Sequence, residues 1–201
     1  MDRVFYIFRH GETDWNVVRR CQGHTDIPLN HNGFKQVELL AEKMLNIPLD
    51  VVFSSDLSRA VYTGTKVASA LNVPIYFDTR LREMSYGEAE GMIYQDAIAK
   101  YGEEIWSKLS SFRREHDHVG FPGGETRQES RERFLNLLNE IIQNTDHTQI
   151  GISTHGGAIR NILHYFLDEN HPILPIPNCV VYRLRFDSAQ NKFQAEPNPL
   201  F

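Results

Sequence analysis

Hydrophobic positions along this chain alternate between two periods. Val4-Phe5-Tyr6-Ile7-Phe8 is an unbroken apolar run, as in a strand covered on both faces, and Arg9 ends it. After Asn30, a suitable cap, the spacing becomes helical: Phe34, Val37, Leu40, Ala41 and Met44 share one face, and Pro48 closes a helix that runs to about Asn46. Val51-Val52-Phe53 predicts a second buried strand, and Ser55 or Asp56 a cap for a helix carrying Ala60, Tyr62, Val67, Ala68 and Leu71. Residues 74–78 predict a third strand. The stretch 86–122 breaks this rhythm with short helical pieces near 93–101 and 103–114 and a charged tract, Arg113-Arg114-Glu115-His116-Asp117-His118. After Pro122-Gly123-Gly124, a helix over about 125–144 presents Phe134, Leu137, Leu138 and Ile141, followed by a strand at 149–154, a helix at 158–167 and a strand at 179–186. Residues 172–178 read as a proline-rich connection, and the tail after Phe193 as too proline-broken to be regular. Alternating strands and helices predict a layered α/β fold. The 201 residues suit one domain spanning 1–201, with 86–122 as an inserted cap.

Composition narrows the classes. An apolar fraction of 41% supports a substantial core, and a net charge of −5 argues against coating nucleic acid or an anionic membrane. Cys21 and Cys179 stand far apart with no CxxC pair, so the expectation is no disulfide framework and a reducing, cytoplasmic setting. No stretch is long and apolar enough to span a bilayer, and the N-terminal run is too short for a secretory signal.

Candidate chemistry collects where strands end, which is where open α/β sheets bind ligands. The first strand delivers Arg9-His10-Gly11-Glu12-Thr13, a cation and an imidazole beside a glycine that admits close backbone approach. The second leads through Asp56-Leu57-Ser58 to Arg59 near a helix N-terminus, where backbone N–H groups favour an anion. The third is followed by Leu81-Arg82-Glu83-Met84, and the fourth by His155-Gly156-Gly157. Two arginines, two histidines and a carboxylate at successive strand ends form a candidate anion-binding, acid–base site. Taken singly, Arg59 could satisfy a surface carboxylate, Glu83 could pair with Arg80 or Arg82, and His155 could bond backbone. His116-Asp117-His118 has the look of a metal pair without further ligands and reads as solvated surface, and Cys21 has no adjacent base.

These segments, Arg-His-Gly-Glu-Thr at 9–13, Ser-Ser-Asp-Leu-Ser-Arg-Ala at 54–60, Leu-Arg-Glu-Met-Ser-Tyr-Gly at 81–87 and Ser-Thr-His-Gly-Gly at 153–157, resemble the histidine phosphatase superfamily, the phosphoglycerate-mutase-like fold. The weaker elements Asp26-Ile-Pro-Leu and Pro122-Gly-Gly-Glu occur in the matching order. The resemblance implies a three-layer sandwich, a mostly parallel sheet with helices on both faces and a small helical cap. It implies a phosphomonoesterase in which His10 becomes a phosphohistidine, Arg9, Arg59 and His155 bind the phosphoryl oxygens with the Gly156 backbone, and Glu83 is the general acid and base. Asn16, Gln22 and Gly23 match loop positions that contact phosphate or leaving group. It implies a small phosphate ester as partner and neither metal nor cofactor; whether the chain is a monomer or a dimer stays open. Met-Ser-Tyr-Gly-Glu-Ala-Glu-Gly after Glu83, and Thr-His-Gly-Gly at the second histidine, favour hydrolysis over the runner-up, a cofactor-dependent phosphoglycerate mutase. A non-catalytic phospho-ligand binder is the third reading, disfavoured because every matching catalytic position is filled. Met92, Tyr94, Trp106, Phe112, Arg113, Arg114 and Phe121 are expected to set specificity. Glu12 is expected to hold its loop, and Thr13 either to brace a turn or to reach the phosphate.

Overall fold

The computed structural model describes residues 1–201. One six-stranded sheet forms its centre, from β1 (Arg3–Arg9), β2 (Val51–Ser54), β3 (Ile75–Phe77), β4 (Gln149–Thr154), β5 (Val181–Asp187) and β6 (Lys192–Ala195), in the order β3-β2-β4-β1-β5-β6. β3, β2, β4 and β1 run parallel; β5 and β6 are antiparallel additions. The helices are α1 (Asp14–Val17), α2 (His31–Met44), α3 (Ser58–Leu71), α4 (Tyr94–Tyr101), α5 (Glu103–Ser111), α6 (Arg127–Asn144) and α7 (Gly156–Phe166).

Strand alternation sorts the core onto two faces. Phe5, Ile7, Ile150, Ile152, Tyr182 and Leu184 pack with Phe134 and Leu138 of α6 and Ile159 and Ile162 of α7. Phe8, Val52 and Val181 face the other way, onto Leu40, Ala41 and Met44 of α2 and Val67 and Ala68 of α3. The expected three layers and mostly parallel sheet are present. No helix is long and apolar enough to cross a membrane.

Three local expectations need correction, and one short helix had none. The tail is regular as far as Ala195, because β6 pairs with β5 before Pro197 intervenes. Neither Ser55 nor Asp56 caps α3; the N-cap is Leu57, and the Asp26 carboxylate, arriving from another loop, accepts the Ser58 N–H at 2.9 Å. The helix α7 starts two residues earlier than expected, at Gly156. The short α1 escapes hydrophobic periodicity because none of its residues is buried; its signal is the capping box of Thr13 and Asn16.

The segment 86–122 supplies α4, α5 and two short 3-10 turns, gathered around Ala89, Ala97 and Phe121. Within it, Asp117 departs from the solvated-surface expectation. Its carboxylate lies 2.6 Å from Arg131 and 3.5 Å from Arg127, half-buried between two helix-borne guanidiniums. No group of side chains in the structure could hold a metal ion.

Candidate active site

The register of the central strands places the chemistry. β1 and β4 pair in parallel with Arg9 opposite Thr154, so His10 and His155 leave adjacent strands side by side, ring centroids 5.1 Å apart. β2 lies beyond β4 and feeds Ser55 and, through α3, Arg59 into the same corner.

His10 is buried, and its Nδ1 lies 2.6 Å from the carbonyl of Gly11. A carbonyl only accepts, so Nδ1 carries the proton and Nε2 keeps a free lone pair. Burial, with Arg59 and Arg9 nearby, holds this imidazole well below the usual histidine pKa, so it is neutral at pH 7. Its backbone is fixed on both sides, by its own N–H to Thr154 and by Asn178 Nδ2 donating to its carbonyl.

The guanidinium of Arg59 is 1% exposed and tied down at three points, donating to His155 Nδ1 and to the carbonyls of Thr25 and Gly23. Burial lowers its pKa to about 10, against the opposing pull of Glu83, and it stays charged. Arg9 donates from Nη1 to Ile176 at 2.7 Å, and its buried Nε has no partner. Both cations therefore retain N–H groups for an anion in front of His10.

Glu83 reaches the N-terminus of α7: Oε2 accepts from Gly157 and Oε1 from Ala158, each at 2.8 Å. It pairs with neither nearby arginine, since Arg82 is taken by Asp56 and Arg80 by Asp78 and Glu140. Gly157 is required here, because a Cβ on it would stand 2.5 Å from Glu83 Oε1. Arg133 anchors the loop from behind, donating to the carbonyls of Arg80, Arg82 and Glu83.

These groups enclose a polar cavity of about 130 Å³ bordered by Arg9, His10, Asn16, Gln22, Gly23, Arg59, Glu83 and Gly156. Eight of the nine expected site residues thus converge. His155 is the ninth and is placed differently: fully buried beneath the wall, with Nδ1 accepting from Arg59 and Nε2–H donating to Ser55 Oγ at 2.8 Å. Both ring nitrogens are engaged, so in this structure it holds Arg59 and does not face the cavity. Burial and the neighbouring Arg59 keep it neutral as well.

The loop expectations divide. Thr13 is fully buried and braces its turn, donating to Gln22 Oε1. Glu12 accepts from Asn30 and Asn32 and so holds its loop. The Cys21 thiol is pushed up to about 11 by burial and is inert as a nucleophile. Sequence reasoning missed Arg20, Tyr86 and Arg160, which also border the cavity. Arg160 was findable, one helical turn after Gly156 on the same face. Arg20 carries no periodic signal; it is aimed by the Gly91 carbonyl and by the Trp15 ring 5.5 Å away.

Comparison with known proteins matches this geometry to one group. The model of the histidine phosphatase superfamily (branch 1) matches residues 5–198. The uncharacterized phosphatase PhoE of Bacillus subtilis is 32% identical over 157 residues, 78% of this chain and 74% of its own. Phosphoglycerate mutase-like protein 4 of Arabidopsis thaliana is 35% identical over 158 residues, covering 78% and 67%. The native structure of a mycobacterial glucosyl-3-phosphoglycerate phosphatase superposes with a TM-score of 0.83 at 24% identity, over 98% of each chain, a likeness of fold.

Proposed function

This chain belongs to the histidine phosphatase superfamily, and on that premise we propose that it hydrolyses a small phosphate monoester through a phosphohistidine on His10. The observation that carries the reading is the bond from His10 Nδ1–H to Gly11, which leaves a neutral Nε2 lone pair on a residue that lines one cavity with Arg9 and Arg59. Nε2 attacks phosphorus while the ester oxygen departs, and the guanidiniums of Arg9 and Arg59 take the charge on the equatorial oxygens. A close charge pair at a partly screened site contributes on the order of 4 kcal/mol before desolvation. His155 and Ser55 act through Arg59, fixing the plane of its guanidinium. Glu83 donates a proton to the departing oxygen and then takes one from the water that releases phosphate. Asn16, Gln22, Gly23 and Gly156 position the ester. Charge neutralisation comes from arginine, so no metal enters the mechanism.

Incubation with a chromogenic phosphomonoester in EDTA, followed by rapid acid-free quenching, is expected to trap phosphate on His10 in the wild type and none in His10→Ala. Equal release by both proteins overturns the covalent step. Hydrolysis is preferred to mutase chemistry because of the large apolar cavity behind the phosphate position, a poor match for a three-carbon acid. Stimulation by 2,3-bisphosphoglycerate with interconversion of phosphoglycerates would reverse that preference.

A further inference from the structure

Tyr86, Tyr94, Gly157 and Arg160 border both the polar cavity and a larger one of about 340 Å³, so the two spaces meet at these residues. Trp106, Leu109, Phe112, Phe121 and Ile173 give the larger space its apolar, mainly aromatic walls. Its volume lies at the lower end of pockets that hold drug-sized molecules, well above what a phosphate needs.

Charge at this junction is unbalanced. The guanidiniums of Arg9, Arg20, Arg59 and Arg160 border the polar cavity, and Glu83 is its one carboxylate. A phosphate monoester brings about two negative charges at pH 7, so even with Glu83 ionised one cation is left unmatched. Arg59 has Asp26 4.0 Å away, whereas Arg160 pairs with no carboxylate of the protein. Of these four arginines, only Arg160 also borders the larger cavity.

The donors of Arg160 are set out for one kind of ligand. Nε donates to the Leu174 carbonyl at 3.1 Å, and the Leu174 N–H is held in turn by His164, so one edge of the guanidinium is anchored. Nη1 and Nη2 bond to nothing in the protein and stay within reach of water. These two groups share the far end of the guanidinium, where parallel N–H bonds match the two oxygens of one carboxylate. At the same junction the Tyr86 hydroxyl also lacks a protein partner. Burial, with Glu83 nearby, raises its pKa well above the ordinary phenol value, so it remains a donor.

We propose that the leaving group carries a carboxylate close to its ester oxygen, bound at the junction by the Nη1 and Nη2 end of Arg160, and a flat apolar body that lies in the larger cavity. The carboxylate supplies the negative charge the junction lacks, and the aromatic walls take the body by stacking. An acid at the far end of the leaving group would find no such partner. The other arginine of the larger cavity is Arg127, whose Nε and Nη1 are sealed from water and whose Nη2 is spent on the Arg113 carbonyl. The inference rests on the phosphatase reading of the polar cavity and narrows it to a substrate class.

The test uses 2-(carboxymethyl)phenyl phosphate, which sets the acid beside the ester, and its 4-isomer, which sets it at the far end, each against its own carboxamide. The wild type is expected to favour the 2-acid over its amide by roughly tenfold or more in kcat/KM, chiefly through KM, the gain of one charge-assisted bond. No such preference is expected for the 4-acid. Arg160→Met is expected to bring the 2-acid and its amide close to parity and Arg160→Lys to keep part of the preference; any effect on phosphate binding itself cancels in the ratio. A wild-type ratio near one, an equal preference for the 4-acid, or a ratio that survives Arg160→Met overturns the proposal, and the first two need no variant to fold. If no ester turns over, which overturns the phosphatase reading, calorimetry with 2-hydroxyphenylacetate and its amide decides the site by itself. Tighter binding of the acid that is lost in Arg160→Met then supports it, and equal binding of acid and amide overturns it.

Discussion

Lowering the pH from 7 to 5 should bring this protein close to unfolding, and three histidines are the reason. His10, His155 and His164 are buried, and burial holds each below the usual value of 6.5, His164 at about 4. Geometry enforces the same state at two of them. His155 Nδ1 accepts from Arg59, and His164 Nε2 accepts the Leu174 N–H at 3.1 Å, so a proton on either nitrogen would face another donor. Between these lowered values and 6.5 the unfolded chain binds protons that the native protein refuses, so stability falls as pH falls through that window. Each histidine contributes about 1.4 kcal/mol per pH unit once the unfolded form is charged, which integrates to about 2 kcal/mol each between pH 7 and 5. Together they remove roughly 6 kcal/mol, against about 5–15 for a whole domain. The carboxylates of Asp56, Asp78, Glu90 and Glu125 are held low by their hydrogen bonds and arginine partners, and their loss begins below this window. Urea unfolding at fixed ionic strength, followed by circular dichroism at half-unit steps, reads the slope directly. It should approach about 4 kcal/mol per pH unit near pH 5.5 and drop by roughly a third in His164→Gln, which lies outside the active site. A stability flat from pH 7 to 5, or a slope untouched by His164→Gln, refutes the reasoning.

Three further outcomes follow from single contacts. Glu83→Gln should lower kcat by about 10²–10⁴ for an alkyl phosphate and far less for p-nitrophenyl phosphate, whose leaving group needs no proton; an equal loss on both removes Glu83 as the acid. Gly157→Ala should drive Glu83 from its position and cost about a hundredfold in kcat while the urea midpoint stays close to wild type, as steady-state rates and unfolding curves will show. Ser55→Ala strands the His155 Nε2–H and should cost about 1–3 kcal/mol in urea unfolding together with a raised KM for phosphate esters, since Arg59 loses its brace.

The layered sheet was legible because Val4 to Phe8 and Val51 to Phe53 are unbroken apolar runs set between helical patterns, and the strand ends then located His10, Arg59, Glu83 and His155; that most strands run parallel followed from the family resemblance. Positions of atoms were not legible. That His155 supports Arg59 from below depends on Ser55, 100 residues away in sequence, being delivered by a neighbouring strand. That Asp26 rather than Asp56 accepts the first N–H of α3 depends on a loop packing no local pattern encodes. Arg20 and Arg160, which border the polar cavity, were passed over for a related reason. Arginine is mostly a surface residue, and contact with a ring does not single these out, since Arg114 and Arg131 lie over Tyr165 in the same way.

β1 occupies an inner position of the sheet with β4 on one side and β5 on the other, and neither neighbour starts before Gln149. Its apolar edges therefore remain unpaired until the chain from Arg9 to Gln149 has been synthesised. Synthesis at roughly 5–20 residues per second makes that an exposure of many seconds. The nucleophile is thus assembled only once β4 has paired with β1, so phosphate affinity should appear together with the folded state and not before it. A chain cut after Thr148 would keep His10, Arg59 and Glu83 yet have no central sheet to hold them, leaving a bare strand open to pairing with its own copies.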